Sequence, residues 1–143
     1  MNSKIKDAIF KQVAREPFAE KFNLKLIDLD EGYSKVEMVF TQDMENMFGK
    51  AHGGALFALI DEAFETASNS HGTIAVALNM NISYLASPST GSTLRAEAKE
   101  IIPTNKDRLC ERSEPRSYPV VGRARHEEGG LNISKYLFLN VKR

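Results

Sequence analysis

The sequence predicts an α+β domain in which an antiparallel sheet wraps one long helix. Three features point to it. One stretch, "ALFALIDEAFETAS" behind Gly53-Gly54, holds a helical apolar period over about four turns. Segments on both sides of it alternate polar and apolar residues, the period of a half-buried strand. The order along the chain is strands, one helix, then mainly strands, which suits a sheet packed on a single helix.

Each element has its own grounds. Residues 3–15 read as a short amphipathic helix, with Ile5, Ile9 and Val13 on one side, ended near Pro17. "FNLKLIDLD" (22–30) and "YSKVEMVFT" (33–41) alternate and are joined by "EG", so they read as an antiparallel pair. A loop rich in Met and Asn, 42–51, leads to the helix at about 53–69, and "HG" at 71–72 supplies its stop. "TIAVALNMNISYL" (73–85) reads as a strand and "SPSTG" (87–91) as a turn. "STLRAEAKEII" (92–102) is another alternating strand, with Leu94, Ala96 and Ala98 on one face. Residues 103–130 resist a strand reading: three prolines and dense charge leave only "PVV" as a buried segment, and Pro115 and Pro119 disfavour a central strand. The final "LNISKYLFLNVK" regains strand character through Ile133, Tyr136, Phe138 and Val141. No internal repeat or linker divides the chain, so residues 1–143 are expected to form one domain.

Bulk properties exclude several classes. Lys+Arg and Asp+Glu each total 19, a balance that argues against nucleic acid as a partner. The single cysteine, Cys110, has no intrachain mate and no zinc-ligand cluster around it. The first residues lack the apolar core of a secretory signal, and no apolar run approaches the ~20 residues of a membrane span. The expected setting is the cytoplasm, with no membrane association.

The helix raises two chemical questions. On a helical wheel Leu56, Leu59, Ile60, Ala63, Phe64 and Ala67 form one apolar arc. Asp61, Glu62 and Glu65 fall on the remaining side, with Asp61 at the boundary beside Phe57. Such acids are ordinarily a solvated face. A carboxylate beside an apolar wall, once something packs over it, is desolvated and suited to act as base or nucleophile. Gly53-Gly54 is either a flexible entry turn or tight packing point, or a bare helix end whose unpaired N–H groups and positive dipole suit an oxyanion. Gly53 and Asp61 are eight residues apart, roughly 12 Å along a helix. A carbonyl under attack must lie about 3 Å from both its nucleophile and its oxyanion donor. One helix therefore cannot supply both groups, whereas two copies related by a two-fold axis can.

"NMFGKAHGGALFALID", with Asn46, Gly49, His52, Gly53, Gly54 and Asp61 at family spacing, resembles the signature of hotdog-fold acyl-CoA thioesterases of the PaaI-like, phenylacetic acid degradation type. "NMNISYLASPSTGSTLRAEAKEI" resembles the next two strands, and the similarity covers about residues 18–102. The resemblance implies a hotdog fold paired into a homodimer, often a homotetramer, acting on an acyl-CoA substrate. No cofactor is implied beyond coenzyme A as part of that substrate, and no metal. It also implies catalytic roles. Asp61 would be the base or nucleophile, and the Gly53 N–H would polarise the thioester carbonyl. Asn46 would orient water or substrate, and His52 would hold the carbonyl end. Gly54, Phe57, Lys50, Arg95 and Met80 are the expected substrate-binding residues, Lys50 and Arg95 (with Lys99) facing the coenzyme A phosphates and Met80, Met44 and Met47 an acyl pocket.

Two departures stand out. Many relatives carry a Ser or Thr on the strand after the helix, where this chain has Ala77; Ser83, six residues on, is roughly 20 Å away along a strand. Residues 103–130 do not read as the family's two long strands. These features motivate an alternative, a non-catalytic protein that binds acyl-CoA or an acyl carrier. A hotdog hydratase ranks last because "MENMFGKAH" lacks the expected aspartate. His71 and His126 read as surface residues, and Asp61, Glu65 and His52 lack the compact spacing of a metal site.

Overall fold

The computed structural model describes residues 1–101 and the strand backbones at 117–126, 132–133 and 139–142, with residues 78–79 likewise described in backbone alone. Helix α1 spans Ser3–Val13; the Asn2 side chain caps it by accepting from the Lys4 N–H, and Ile9 and Val13 are buried. Pro17 does not merely end that helix. It occupies the first turn of a short α2, Pro17–Lys21, a position where its missing N–H costs nothing.

Strands β1 (Lys25–Asp30) and β2 (Tyr33–Val39) pair antiparallel as the alternation predicts. Gly32 at their turn has φ +68°, and a Cβ there would meet Glu100 Oε2 at 3.0 Å. After a single 3₁₀ turn at Gln42–Met44, helix α3 runs Gly53–Asn69. It stops at Ser70, and Gly72 follows at φ +77°, its N–H donating to Asn69 O at 3.0 Å. The remaining strands are β3 (Val76–Asn79), β4 (Thr93–Glu100), β5 (Ser117–His126), β6 (Asn132–Ile133) and β7 (Leu139–Lys142). They complete one sheet in the order β1-β2-β4-β5-β7-β3, with β6 also on β5.

The register places Ser34 opposite Ala98, Val36 opposite Ala96 and Met38 opposite Leu94. All six are at most 2% exposed, so they form the floor on which α3 lies. Three of the six are Ala or Ser, which lets the helix come close; the Ser34 hydroxyl then donates to the Ala63 carbonyl in α3. From the helix, Leu56, Leu59, Ile60, Ala63, Phe64 and Ala67 are all buried, the arc expected from the wheel. The fold is therefore α+β, an antiparallel sheet around a central helix.

Two expectations are corrected. The strand expected over 73–85 is confined to Val76–Asn79. Its described partner, β7, covers only four residues and pairs with it on one side, so no described ladder holds residues 80–85. Conversely, residues 117–126 of the stretch that resisted a strand reading form the ten-residue β5, inside the sheet. Pro119 is tolerated because the β4 ladder already ends at Glu100–Val120, leaving Pro119 with β7 as its recorded neighbour. Pro115, Cys110, Tyr136 and Phe138 lie outside the described residues. Among the described residues no helix is long and apolar enough to cross a membrane.

Candidate active site

The N-terminus of α3 is built by His52. Its backbone is extended (φ −69°, ψ 128°), and its Nδ1 accepts the Gly54 N–H at 3.0 Å. This cap exists only while Nδ1 is unprotonated, so in the neutral ring the proton sits on Nε2. His52 thus consumes one of the helix's free donors, while the Gly53 N–H has no recorded partner among the described residues.

Both glycines pack against neighbours that the sequence did not identify. A Cβ at Gly54 would meet the capping His52 Nδ1 at 3.0 Å. One at Gly53 would lie 3.2 Å from the ring of Tyr84, whose hydroxyl donates to the Gly53 carbonyl at 3.0 Å. Tyr84 was not singled out from the sequence. A groove beside this helix end is lined by Ala51, Gly53, Leu56, Tyr84 and Leu85. Next to it in the chain, Met47 and Phe48 are 88% and 76% exposed.

Asn46 organises the loop before the helix. Its Oδ1 accepts from the Phe48 and Lys50 N–H groups at 2.9 and 3.2 Å, and its own N–H donates to Lys50 O at 2.7 Å. Its Nδ2 makes only a 3.5 Å contact with Ala51 O, which leaves that donor available. The Lys50 side chain is exposed and Phe57 is half-buried. Met80 packs against the core and Met44 is part of it. Arg95 is engaged by Glu37 across the β2–β4 pair, with Nε 2.8 Å from Oε1, so fewer of its donors remain for a phosphate.

Asp61 lies on a different part of α3, half-buried, and accepts no recorded hydrogen bond among the described residues. Burial raises its carboxyl above the ordinary aspartate range. The groove at Gly53 does not include Asp61, as the spacing along one helix requires.

Of the neighbouring acids, Glu65 keeps to the expected solvated face, whereas Glu62 corrects that expectation. Glu62 is 3% exposed. Its carboxyl is pushed up to about 8, by burial first and then by Glu16, Glu65 and Asp61. Glu65 is raised by burial and by Glu16 and Asp61, and Glu16 by burial and Asp61. The wheel placed Glu62 correctly relative to the sheet, but α1 and the turn at Glu16 close over that side of the helix. The sign of the pH effect follows. A carboxyl whose folded pKa exceeds its ordinary value near 4.5 stabilises fully below that value, and the contribution is lost as pH rises through about 8. In chelator-treated buffer, urea unfolding from pH 5 to pH 8 is expected to cost wild type about 2–4 kcal/mol more than Glu62→Gln, whose side chain has no charge to bury.

His71, expected to be an ordinary surface residue, ties elements together. Its Nε2 is 2.6 Å from Glu100 Oε2 on β4, and its Nδ1 is 3.6 Å from Glu31 Oε1 in the β1–β2 turn.

Comparison with known proteins fits this arrangement. A family model described as the thioesterase superfamily matches residues 48–101, the segment running from the loop through α3 to the end of β4. A point mutant of the phenylacetic acid degradation protein PaaI of Thermus thermophilus is 33% identical and superposes with a TM-score of 0.71, over 90% of this chain and 99% of that one. The chain belongs to the PaaI-like thioesterases.

Other members are similar in the same way. The acyl-coenzyme A thioesterase PaaI of Escherichia coli is 41% identical over 81 residues, 57% of this chain and 58% of that protein. Its structure superposes at a TM-score of 0.78 with 26% identity, covering 97% of this chain and 91% of that one. A provisionally named esterase of Archaeoglobus fulgidus is 39% identical over 106 residues, 74% of this chain and 67% of that protein. In sequence the chain thus spans less than two thirds of the Escherichia coli relative. The thioesterase assignment makes hydrolysis of a thioester the general chemistry to be explained.

Proposed function

We propose that this PaaI-like thioesterase hydrolyses an acyl-CoA to the free acid and coenzyme A, at a site completed by two copies of the chain. The observation that carries the reading is the separation of its two reactive features. A half-buried carboxylate with a raised pKa, Asp61, and a helix end with an uncommitted N–H, Gly53, lie on one helix too far apart to meet on one carbonyl.

In this mechanism the Gly53 N–H of one copy binds the thioester oxygen, and the helix dipole favours the negative charge that grows there. Asp61 of the second copy takes the proton of an attacking water, or attacks the carbonyl itself, and its raised pKa makes it the stronger base. Asn46 offers its Nδ2 to water or substrate. His52 acts through the backbone: by capping Gly54 it fixes the angle at which the Gly53 N–H emerges. The groove at Leu56, Tyr84 and Leu85, with exposed Met47 and Phe48 nearby, suits an acyl chain or ring. Lys50, exposed at this end of the helix, suits a phosphate of the coenzyme. The exposed apolar residues of β3 and the segment before it, Ile74 at 86% and Val76 at 59%, support pairing with a second copy.

Release of thiol from short, medium, long and aromatic acyl-CoAs tests the reading. Turnover of at least one class is expected. Ala77, exposed on β3 and without a hydroxyl, favours a second reading in which acyl-CoA binds without reaction. Saturable binding with no thiol release across the panel would establish that alternative.

A further inference from the structure

We propose that Glu16, Glu62 and Glu65 form a binding site for a hard divalent cation of calcium size, in the cleft between α1 and α3. One carboxylate oxygen from each residue lies within 4.8 Å of the other two. Oxygens that share one calcium ion at 2.3–2.6 Å stand at most about 5 Å apart, so the three already fit one such coordination sphere. Magnesium, at 2.0–2.1 Å, would require them to close to about 4 Å.

Proximity alone would be an ordinary acidic cluster, but Glu62 adds an independent sign. It is 3% exposed, and its Oε1 is shielded from solvent with no hydrogen-bond partner among the described residues. A buried acceptor left without a donor is costly and rare in native proteins. No described cation nearby supplies the missing charge. Lys4 lines the same cleft and Lys11 and Arg15 the adjoining one. Yet among the described residues no lysine or arginine forms a salt bridge with any of the three carboxylates. Two of the polar groups in the cleft are already engaged: the Thr66 hydroxyl donates to the Glu62 and Ala63 carbonyls, and the Asn69 amide to Glu65 O and Ala75 O. Gln12 also lines the cleft, and its side chain has no recorded bond to any of the three carboxylates.

The donor set is all carboxylate oxygen, with neither thiol nor imidazole, which selects a hard cation over zinc or copper. Glu62 forms the buried floor, Glu16 is half-buried at the rim, and Glu65 is exposed, so the cation has a path from solvent and water can fill the rest of its shell. Its effect would be to tie the turn after α1 to the middle of α3. Asp61, the acid of the proposed thioesterase mechanism, is not among the three ligands, although its charge acts on all three.

Isothermal titration of the chelator-stripped full chain with calcium chloride, and in parallel with magnesium and manganese chloride, tests it. The expected result is one calcium per chain, a thermal midpoint that rises with calcium, and affinity at least about tenfold weaker in Glu62→Gln and in Glu16→Gln. Asp61→Asn should still bind calcium. Should Glu62→Gln fail to fold by circular dichroism, Glu16→Gln and Glu65→Gln at the rim carry the comparison. No binding of any of the three cations to wild type would overturn the proposal, as would binding that all the glutamate variants retain. A clear preference for magnesium would overturn the size assignment.

Discussion

Replacing Asp61 with asparagine is expected to lower kcat/KM by about 10²- to 10⁴-fold, the usual worth of a positioned base. The fold should be untouched or slightly firmer. The asparagine amide would keep the shape of the side chain while removing a half-buried negative charge that presses on Glu16, Glu62 and Glu65. Thermal unfolding of both proteins therefore separates a catalytic loss from a structural one: the variant's midpoint should be no lower than wild type's. Wild-type activity should also fall on the acid side at a pH above the ordinary aspartate range, because burial raises the carboxyl that must be ionised to act. Equal rates for wild type and variant would remove Asp61 from the mechanism.

The second large effect isolates a single N–H group. Gly53→Pro is expected to cost about 10²- to 10³-fold in kcat, the value of one oxyanion donor. The substitution suits the backbone unusually well. Gly53 is the first residue of α3, where proline's fixed φ is already helical and its lost N–H breaks no helix bond. His52 ahead of it already has the extended geometry a following proline demands, φ −69° and ψ 128°. The cost common to any side chain is the 3.2 Å approach to Tyr84, and Gly53→Ala carries that cost while keeping the donor. Steady-state kinetics should show Gly53→Ala far closer to wild type than Gly53→Pro. Equal losses in the two variants would mean that the glycine serves Tyr84 packing alone.

Much of the scaffold was legible in the sequence because its signals are local. The arc from Leu56 to Ala67, the His-Gly-Gly start and the Gly72 stop all lie within α3 or a few residues of it, and they place the helix at Gly53–Asn69. Leu94, Ala96 and Ala98 reveal the inner face of β4 by simple alternation. What failed depends on distant parts of the chain. Glu62 looked solvated because a wheel carries no information about Glu16, which α1 and α2 bring across it. Residues 117–126 form a strand despite Pro119 because β4 and β7 overlap it unequally. The sequence left the paired glycines open between a bare helix end and a tight packing point, and it could not name the neighbours, which are His52 and Tyr84 of the same chain. Residues 80–85 alternate like a strand but have no described ladder partner.

Catalysis by this route requires one centre to take Gly53 from one chain and Asp61 from another. Mixing the two inactive variants is the sharpest test of that requirement. Asp61→Asn and Gly53→Pro chains, unfolded together and refolded at equal ratio, would form hybrid dimers with one doubly damaged site and one intact site. Thiol release should recover to about one quarter of the wild-type rate, since half of the dimers are hybrids and each has one working site of two. Hybrid dimers that form but stay as inactive as their parents would contradict the shared centre, and so would a wild-type monomer that turns over at full rate.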